Sequence, residues 1–360
     1  MKAENVKTLI ILTPGFPTDE SDSTCLPAQQ TFLLALNRNY PSIDIKVISF
    51  HYPYRSDKYL WNGIQVISLN GRNKRGFARL MIWMRAWRAI LGFKKNAQII
   101  GILSFWCTEC GLVGKWFASY HKLKHQCWIM GQDAKKENGF IRLIRPNANE
   151  LISLSDFLQN EFERNHHIKP AHVIPMGIDP QSFLPPEGAR SIDMIGVGSL
   201  IPLKQYDVFI AIVKKIAERN PSTTAVICGQ GSERNALQQL IDESGLNRNV
   251  LLLGERPHQE VLKLLQQSKI LLHPARYEGL GMVCVEALYA GAHIISFVQP
   301  LFKEILHWNI VKTEEEMKEK VIQLLSNPGL DHTQVLLNTS EESAKAVVDL
   351  FCEKQNTKPQ

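Results

Sequence analysis

No apolar run in this chain of 360 residues approaches the ~20 residues that a membrane-spanning helix needs; a typical long run is Leu80-Met81-Ile82-Trp83-Met84. The opening residues, Met1 to Lys7, lead into a short strand-like stretch without the apolar core of a signal peptide. Seven cysteines, an odd number in a long chain, do not build a secreted disulfide framework, so a reducing compartment is expected. Low-complexity tracts and short-period repeats are missing. With 44% apolar and 21% charged residues, a disordered or fibrous chain is excluded. The expectation is a soluble, cytoplasmic protein of two domains.

Charge is distributed unevenly. Residues 1–180 carry 23 Lys and Arg against 14 Asp and Glu, whereas residues 181–360 carry 18 against 21. Much of the excess lies in 71–95, where Arg72, Lys74, Arg75, Arg79, Arg85, Arg88, Lys94 and Lys95 occur without an acidic residue. A basic half of this kind suits an anionic partner or a solvated basic face.

Short apolar runs alternate with amphipathic segments in both halves, the pattern of βαβ units and parallel sheets. In the first half strands are predicted at Thr8–Thr13, Lys46–Phe50, Ile99–Ser104, Gln126–Met130 and Leu151–Ser155, with helices at 27–38, 77–91, 109–120 and 157–165. In the second they are predicted at Met194–Gly198, Thr224–Cys228, Val250–Leu253, Ile270–His273 and His293–Phe297, with helices near 206–219, 232–244, 258–267 and 282–290. Pro175-Met176-Gly177-Ile178-Asp179-Pro180, followed by Pro185-Pro186, marks the linker. The domains expected are 1–180, 181–326 and a tail, 327–360, in which Ser340 is the N-cap of a helix from Glu341 to Lys354.

The segment Pro274 to Leu288 carries the most chemistry. It follows a buried-looking strand, so it lies at the carboxyl end of a sheet, where α/β folds bind ligands. Gly279 and Gly281 permit close backbone approach, and a helix from Met282 points free N–H groups at an anion. Glu278 and Glu286 fall on either side of that point, and each carboxylate can accept two hydrogen bonds from a vicinal diol. Gly196-Val197-Gly198-Ser199 leads to Lys204, a point charge suited to phosphate. Cys228-Gly229-Gln230-Gly231 lacks the third glycine of a dinucleotide fingerprint, Arg234 standing there, which argues against an NAD site.

Taken in order, Gly198-Ser199-Leu200 with Lys204, Gly229-Gln230-Gly231, Gly254-Glu255-Arg256, and Glu278 with Glu286-Ala287-Leu288 and Gly291 resemble the C-terminal domain of glycosyltransferase family 4. The resemblance spans roughly 193–296 and is looser before it, at Pro14-Gly15-Phe16 and Val173 to Asp179. It implies the GT-B fold, two Rossmann-like doubly wound α/β domains facing a cleft, and a retaining transfer of sugar from a nucleoside diphosphate to an acceptor hydroxyl. By the same resemblance Glu286 holds the ribose and Glu278 the transferred sugar. Lys204 and the amides of Gly279, Leu280, Gly281, Met282 and Val283 hold the diphosphate, Gly198, Ser199 and Gly229 line the donor pocket, and Arg256 lies near the base. Lys204 and Glu278 are the candidate catalytic residues. Gly15, Glu109, Gln132 and Asp133 are candidates on the acceptor side, for a sugar or lipid-linked sugar.

The chain departs from that pattern at Ser199, where the family usually has Arg, at Met130-Gly131-Gln132-Asp133, where it commonly has His, and at Met176, where Asn is usual. The rival expectation is therefore a non-catalytic nucleotide-binding or membrane-associated homologue of the same fold. No two aspartates are separated by a single residue, so the Asp-x-Asp signature of metal-bridged donors is absent and neither metal nor cofactor is expected. Nucleic acid is not an expected partner. Cys107-x2-Cys110 with His121-x3-His125 approaches a zinc-finger pattern, but it lies in strand–helix–strand text, so ordinary packing is expected. In 77–91, Phe77, Leu80, Trp83, Met84, Trp87, Ile90 and Leu91 fall within about 140° of helical arc. That arc packs on the sheet or, with the cations of 71–95, meets the anionic cytoplasmic face of a membrane, as in surface polysaccharide, lipopolysaccharide or glycolipid assembly.

Overall fold

Parallel strands built from short aliphatic runs must be covered on both faces, and the amphipathic segments between them supply the cover. The computed structural model describes residues 7–185 and 188–352 and divides into two compact units, Met1–Gly177 with Asn338–Gln360 and Ile178–Leu337. Met1–Val6, Pro186 and the Glu353–Lys354 end of the predicted last helix lie outside the described residues.

The first unit contains β1 (Lys7–Gly15), α1 (Pro27–Asn39), β2 (Ile43–Tyr52), β3 (Ser56–Trp61), β4 (Ile64–Leu69), α2 (Phe77–Lys94) and β5 (Gln98–Phe105). It continues through α3 (Glu109–His121), β6 (Lys124–Ile129), α4 (Phe140–Ile144), β7 (Leu151–Ser153), α5 (Asp156–His166) and β8 (His172–Val173). The sheet order is β3-β4-β2-β1-β5-β6-β7-β8, with β3 antiparallel to β4. Leu9, Ile10, Ile11 and Leu12 of β1 are wholly buried, as a strand covered on both faces requires. The β3–β4 hairpin was not expected; it turns on Asn62 and Gly63, both at positive φ.

The second unit contains β9 (Ile192–Val197), α6 (Tyr206–Ala217), β10 (Ala225–Cys228), α7 (Arg234–Glu243), β11 (Val250–Gly254), α8 (His258–Gln266) and β12 (Ser268–His273). Then come α9 (Met282–Tyr289), β13 (His293–Ser296), β14 (Trp308–Ile310) and α10 (Glu314–Leu325). Its sheet is parallel in the order β11-β10-β9-β12-β13-β14. The unit runs on to Leu337, past the expected boundary at 326, and β14 and α10 are additions to the predicted elements.

The last helix, α11 (Ser340–Cys352), packs in the first unit against α1 and β5, burying Ala344, Val347, Val348 and Phe351. Its start is tied there by hydrogen bonds: Ser343 Oγ donates to the Pro175 carbonyl (2.8 Å) and accepts from the Gly177 N–H (2.9 Å).

Helix α2 divides its apolar residues between two faces. Ile82, Ala86 and Ile90, four apart, are buried against the first sheet's core. Phe77, Leu80, Met81 and Met84 are exposed on the opposite side, so the expected arc is split: Trp83, Trp87, Ile90 and Leu91 pack on the sheet's core as the packing reading has it, and the rest do not. Arg72, Arg79 and Arg85 are spent inside the unit, on the Tyr54 carbonyl, Glu109 and the Leu69 carbonyl respectively. No helix among the described residues is long and apolar enough to cross a membrane. Cys107 and Cys110 are buried, free thiols packed between β5 and α3, and His125 contacts Ser104 Oγ at 3.0 Å.

Candidate active site

The strand order reverses between β9 and β12 in the second sheet and between β1 and β5 in the first. Loops leaving neighbouring strands diverge at such a point and open a crevice beyond their carboxyl ends. In the second unit that crevice gathers most of the residues singled out in the sequence.

The loop after β9 meets the loop after β10 backbone to backbone. Gly198 N–H donates to the Cys228 carbonyl at 2.9 Å, and Gly229 N–H to that of Gly254 at 2.8 Å. A Cβ on Gly229, where φ is +151°, would fall 1.9 Å from the Gly198 carbonyl oxygen, so no other residue fits without moving that loop. Ser199 is exposed beside this contact, and Arg256 lies at the surface, 3.7 Å from Glu260.

Beyond β12 the chain forms a loop carrying Glu278 and Gly279 and turns at Gly281, in the left-handed region, into α9. At the start of α9 the Cys284 and Val285 N–H groups donate to the Gly281 carbonyl (2.7 and 3.3 Å), but no side chain caps the helix and no acidic residue sits in its first turn, so the end presents a partial positive charge. Lys204, brought in after β9, reaches Glu278 Oε2, and His273 Nε2 lies 3.0 Å from the same oxygen. The Gly279 N–H donates to Oε1 at 3.1 Å. Burial pushes the Glu278 carboxyl up, but the His273 hydrogen bond and the Lys204 charge outweigh it and hold it at about 2. On α9 itself, buried Glu286 meets His258 Nε2 at 2.7 Å. Burial lowers the His258 imidazole, yet the Glu286 hydrogen bond and charge raise it above its ordinary value overall.

Neither histidine was among the sequence candidates. His273, five residues before Glu278 at a strand end, was within reach of a sequence argument. His258 was not, because its partner lies 28 residues away and the contact exists only after α8 and α9 pack together.

The acceptor-side candidates fare differently in the first unit. Gly15 ends β1 and is buried. Asp133 is 4% exposed, and its carboxylate accepts from the N–H groups of Cys107 (2.8 Å), Met130 (3.1 Å) and Gly131 (2.8 Å). Burial raises its carboxyl against those bonds. The group is consumed in shaping the turn after β6, which corrects its assignment as a sugar contact. Glu109 is likewise engaged: Trp83 Nε1 donates to it at 2.8 Å, Arg79 Nε lies 3.1 Å away and His51 Nε2 3.7 Å. Gln132, next to Asp133, is exposed.

Comparison with known proteins bears on the same crevice. Residues 183–341 match the family described as glycosyl transferases group 1. The gpi3 subunit of phosphatidylinositol N-acetylglucosaminyltransferase from Schizosaccharomyces pombe is 22% identical over 326 residues, 86% of this chain and 71% of that protein. Among solved structures, sucrose-phosphate synthase from Thermosynechococcus elongatus superposes with a TM-score of 0.70 at 16% identity, covering 96% of this chain and 94% of that one. Anabaena HepE, solved with UDP and glucose, gives 0.65 at 15% identity over 96% of this chain and 95% of its own. The architecture is that of the GT-B fold, two parallel-sheet Rossmann-like domains.

Proposed function

We propose that this chain, a glycosyltransferase whose residues 183–341 form a glycosyl transferases group 1 domain, moves a sugar from a nucleoside diphosphate to an acceptor hydroxyl with retention of configuration and without a metal. The observation that carries the reading is the placement of two carboxylates, part-buried Glu278 and buried Glu286, on either side of the N-terminus of α9.

The chemistry follows from that placement. Charge builds on the departing diphosphate as the glycosidic bond breaks, and the N-terminus of α9 with Lys204 is preorganised to receive it. Glu286, held by His258, accepts from the ribose hydroxyls, and Glu278 accepts from hydroxyls of the transferred sugar. Lys204 exchanges Glu278 for the diphosphate when the donor enters. Ser199 brings no positive charge, so the lysine and the helix end carry the electrostatic load. UDP in the HepE structure supports a uridine nucleotide as the base to try first.

The acceptor is the less defined half of the reaction. We assign it to the first unit, with Gln132 as a contact and a lipid-linked sugar as its class, in assembly of a surface polysaccharide or glycolipid. Support comes from α2, where Phe77, Leu80, Met81 and Met84 stand exposed beside Lys74, Arg75, Arg88 and Lys95. An apolar row flanked by cations suits the interface of an anionic membrane. The relative named for N-acetylglucosamine transfer to phosphatidylinositol points the same way.

A thermal-shift screen of nucleotide sugars, with and without chelator, tests the proposal. At 100-fold excess over Kd a true donor stabilises by about 2.7 kcal/mol. Absence of any shift across uridine, guanosine and adenosine diphosphate sugars refutes the donor reading, and loss of turnover on chelation refutes the metal-free one.

A further inference from the structure

Lys204 and His273 hold the same oxygen of Glu278, and only one of them is free to leave it. Lys204 is the last residue of a short 3-10 turn and carries its ammonium on a flexible stem, 19% exposed. His273 is the last residue of β12, its backbone fixed opposite Ser296 of β13 and its side chain 5% exposed. We infer that His273 is a positioning residue that keeps the Glu278 carboxylate charged and aimed when Lys204 transfers to the donor diphosphate. This rests on the assignment above of Glu278 to the sugar and Lys204 to the diphosphate.

The need for such a residue is electrostatic. Without Lys204, Glu278 is a part-buried carboxylate facing an incoming anion, and burial already pushes it towards the neutral acid. A protonated Glu278 has one oxygen that donates, and it loses its hold on the sugar hydroxyls as an acceptor pair. The His273 N–H supplies the hydrogen bond that favours the charged form, from a position that cannot follow the lysine out. The other groups near the carboxylate are Tyr206 and Cys284; burial pushes the phenol and the thiol well up, so neither takes charge near neutrality.

The test reads the Glu278 carboxyl by NMR titration of glutamate-labelled protein, unliganded, in the wild type, Lys204→Met, His273→Leu and the double variant. Lys204→Met imitates departure of the lysine. The carboxyl is expected to stay below the ordinary carboxylate value in Lys204→Met and to climb by at least about one pH unit when His273→Leu is added. In turnover, His273→Leu is expected to move the acid limb of kcat upward by about one pH unit, a tenfold loss on that limb. The Kd for uridine diphosphate changes less than threefold, and His273→Gln, which keeps an N–H donor, restores the profile. A carboxyl that rises as far in Lys204→Met alone as in the double variant overturns the inference, as does a kcat profile unmoved in His273→Leu. A wild type that binds no nucleoside diphosphate removes the functional reading instead, and the titration of unliganded protein still decides the role of His273.

Discussion

Removing the Lys204 ammonium is the sharpest probe of how the crevice works, because in the unliganded protein that lysine neutralises Glu278 instead of waiting for a ligand. Holding the carboxyl at about 2 against its ordinary 4.5 amounts to about 3 kcal/mol of stability at neutral pH, at about 1.4 kcal/mol per pH unit. Because the folded value is depressed, that contribution is complete above pH 4.5 and is lost as pH falls through about 2. The His273 hydrogen bond is the largest of the stabilising causes and the Lys204 charge the next; groups in contact couple by about 0.5–3 kcal/mol, and the middle of that range, about 1–2 kcal/mol, is the figure expected for the lysine. Lys204→Met should therefore destabilise the second unit by about that amount at pH 7, and adding Glu278→Gln should recover most of it, a coupling of about 1–2 kcal/mol. Urea unfolding of the four proteins gives the cycle, and calorimetry with uridine diphosphate gives the companion result. Lys204→Met should weaken binding about tenfold or more, while Glu278→Gln, by releasing the lysine, should bind the diphosphate at least as tightly as wild type and turn over slowly. A coupling within about 0.3 kcal/mol of zero would mean that the pair behaves as an exposed surface contact, and the exchange of partners would fall with it.

Glu286→Gln should drop the His258 titration, followed by imidazole NMR, from above its ordinary value to below it, because burial then acts alone. In the wild type this raised group contributes stability that is fully present below pH 6.5 and is lost as pH rises through the folded value. Asp133→Ala leaves three buried N–H groups without their acceptor and should cost about 2–4 kcal/mol in chemical unfolding of the first unit; a cost under about 1 kcal/mol would return Asp133 to the list of ligand contacts. Gly101→Ala places a Cβ 2.3 Å from the Phe351 ring, so limited proteolysis should release α11 faster than in wild type; an unchanged rate would show that the ring yields freely. Liposome flotation should show binding to anionic vesicles that falls with salt, and replacing Lys74, Arg75, Arg88 and Lys95 by Gln should remove about 1 kcal/mol per charge, whereas equal binding to neutral vesicles would assign the contact to the apolar row alone.

The central strands of both sheets, β1, β2, β5 to β7 and β9 to β13, were legible because each is a short apolar run bounded by turn formers, whereas β3, β4, β8 and β14 at the edges were not. What escaped had other reasons. The β3–β4 hairpin carried its signal openly, Asn62-Gly63 between Leu60-Trp61 and the alternating Ile64-Gln65-Val66, but it is the antiparallel edge of an otherwise parallel sheet. Helix α10 hides behind Glu314, Glu315 and Glu316; only Met317 and Val321 are buried, and its N-cap, Thr313 accepting from Glu316 N–H at 3.1 Å, was the better marker. Helix α2 is apolar on both sides, so periodicity located the helix and left its inward face undecided. In the crevice, Glu278, Glu286 and Lys204 were legible from motif order. That Lys204 and Glu278 pair with each other was not, since they stand 74 residues apart and meet only across the β9–β12 junction.

The two strand-order reversals hold carboxylates of different kinds, and the difference argues for which unit takes the charged ligand. At the first, Asp133 is bound by backbone N–H groups and Glu109 by an indole N–H and a guanidinium, partners that belong to the fold and cannot leave without unfolding it locally. At the second, Glu278 and Glu286 are held by side chains: Lys204, which an incoming anion can draw away, and His273 and His258, which stay beside the carboxylates. On the proposed roles a nucleoside diphosphate sugar brings the ribose diol for Glu286, hydroxyls of the sugar for Glu278 and an anion for the released ammonium, so the Lys204–Glu278 pair of the unliganded protein is a stand-in for the bound contacts. Such a crevice stays satisfied when empty and charged when filled. The first unit, with its carboxylates committed, offers the exposed amide of Gln132 and the apolar face of α2, which suit a neutral hydroxyl on a lipid carrier. The order of events this implies is donor first, since only donor entry frees Glu278 from Lys204. Steady-state kinetics should accordingly show an acceptor whose KM falls as donor concentration rises, and a random order with independent constants would contradict the partner exchange at its root.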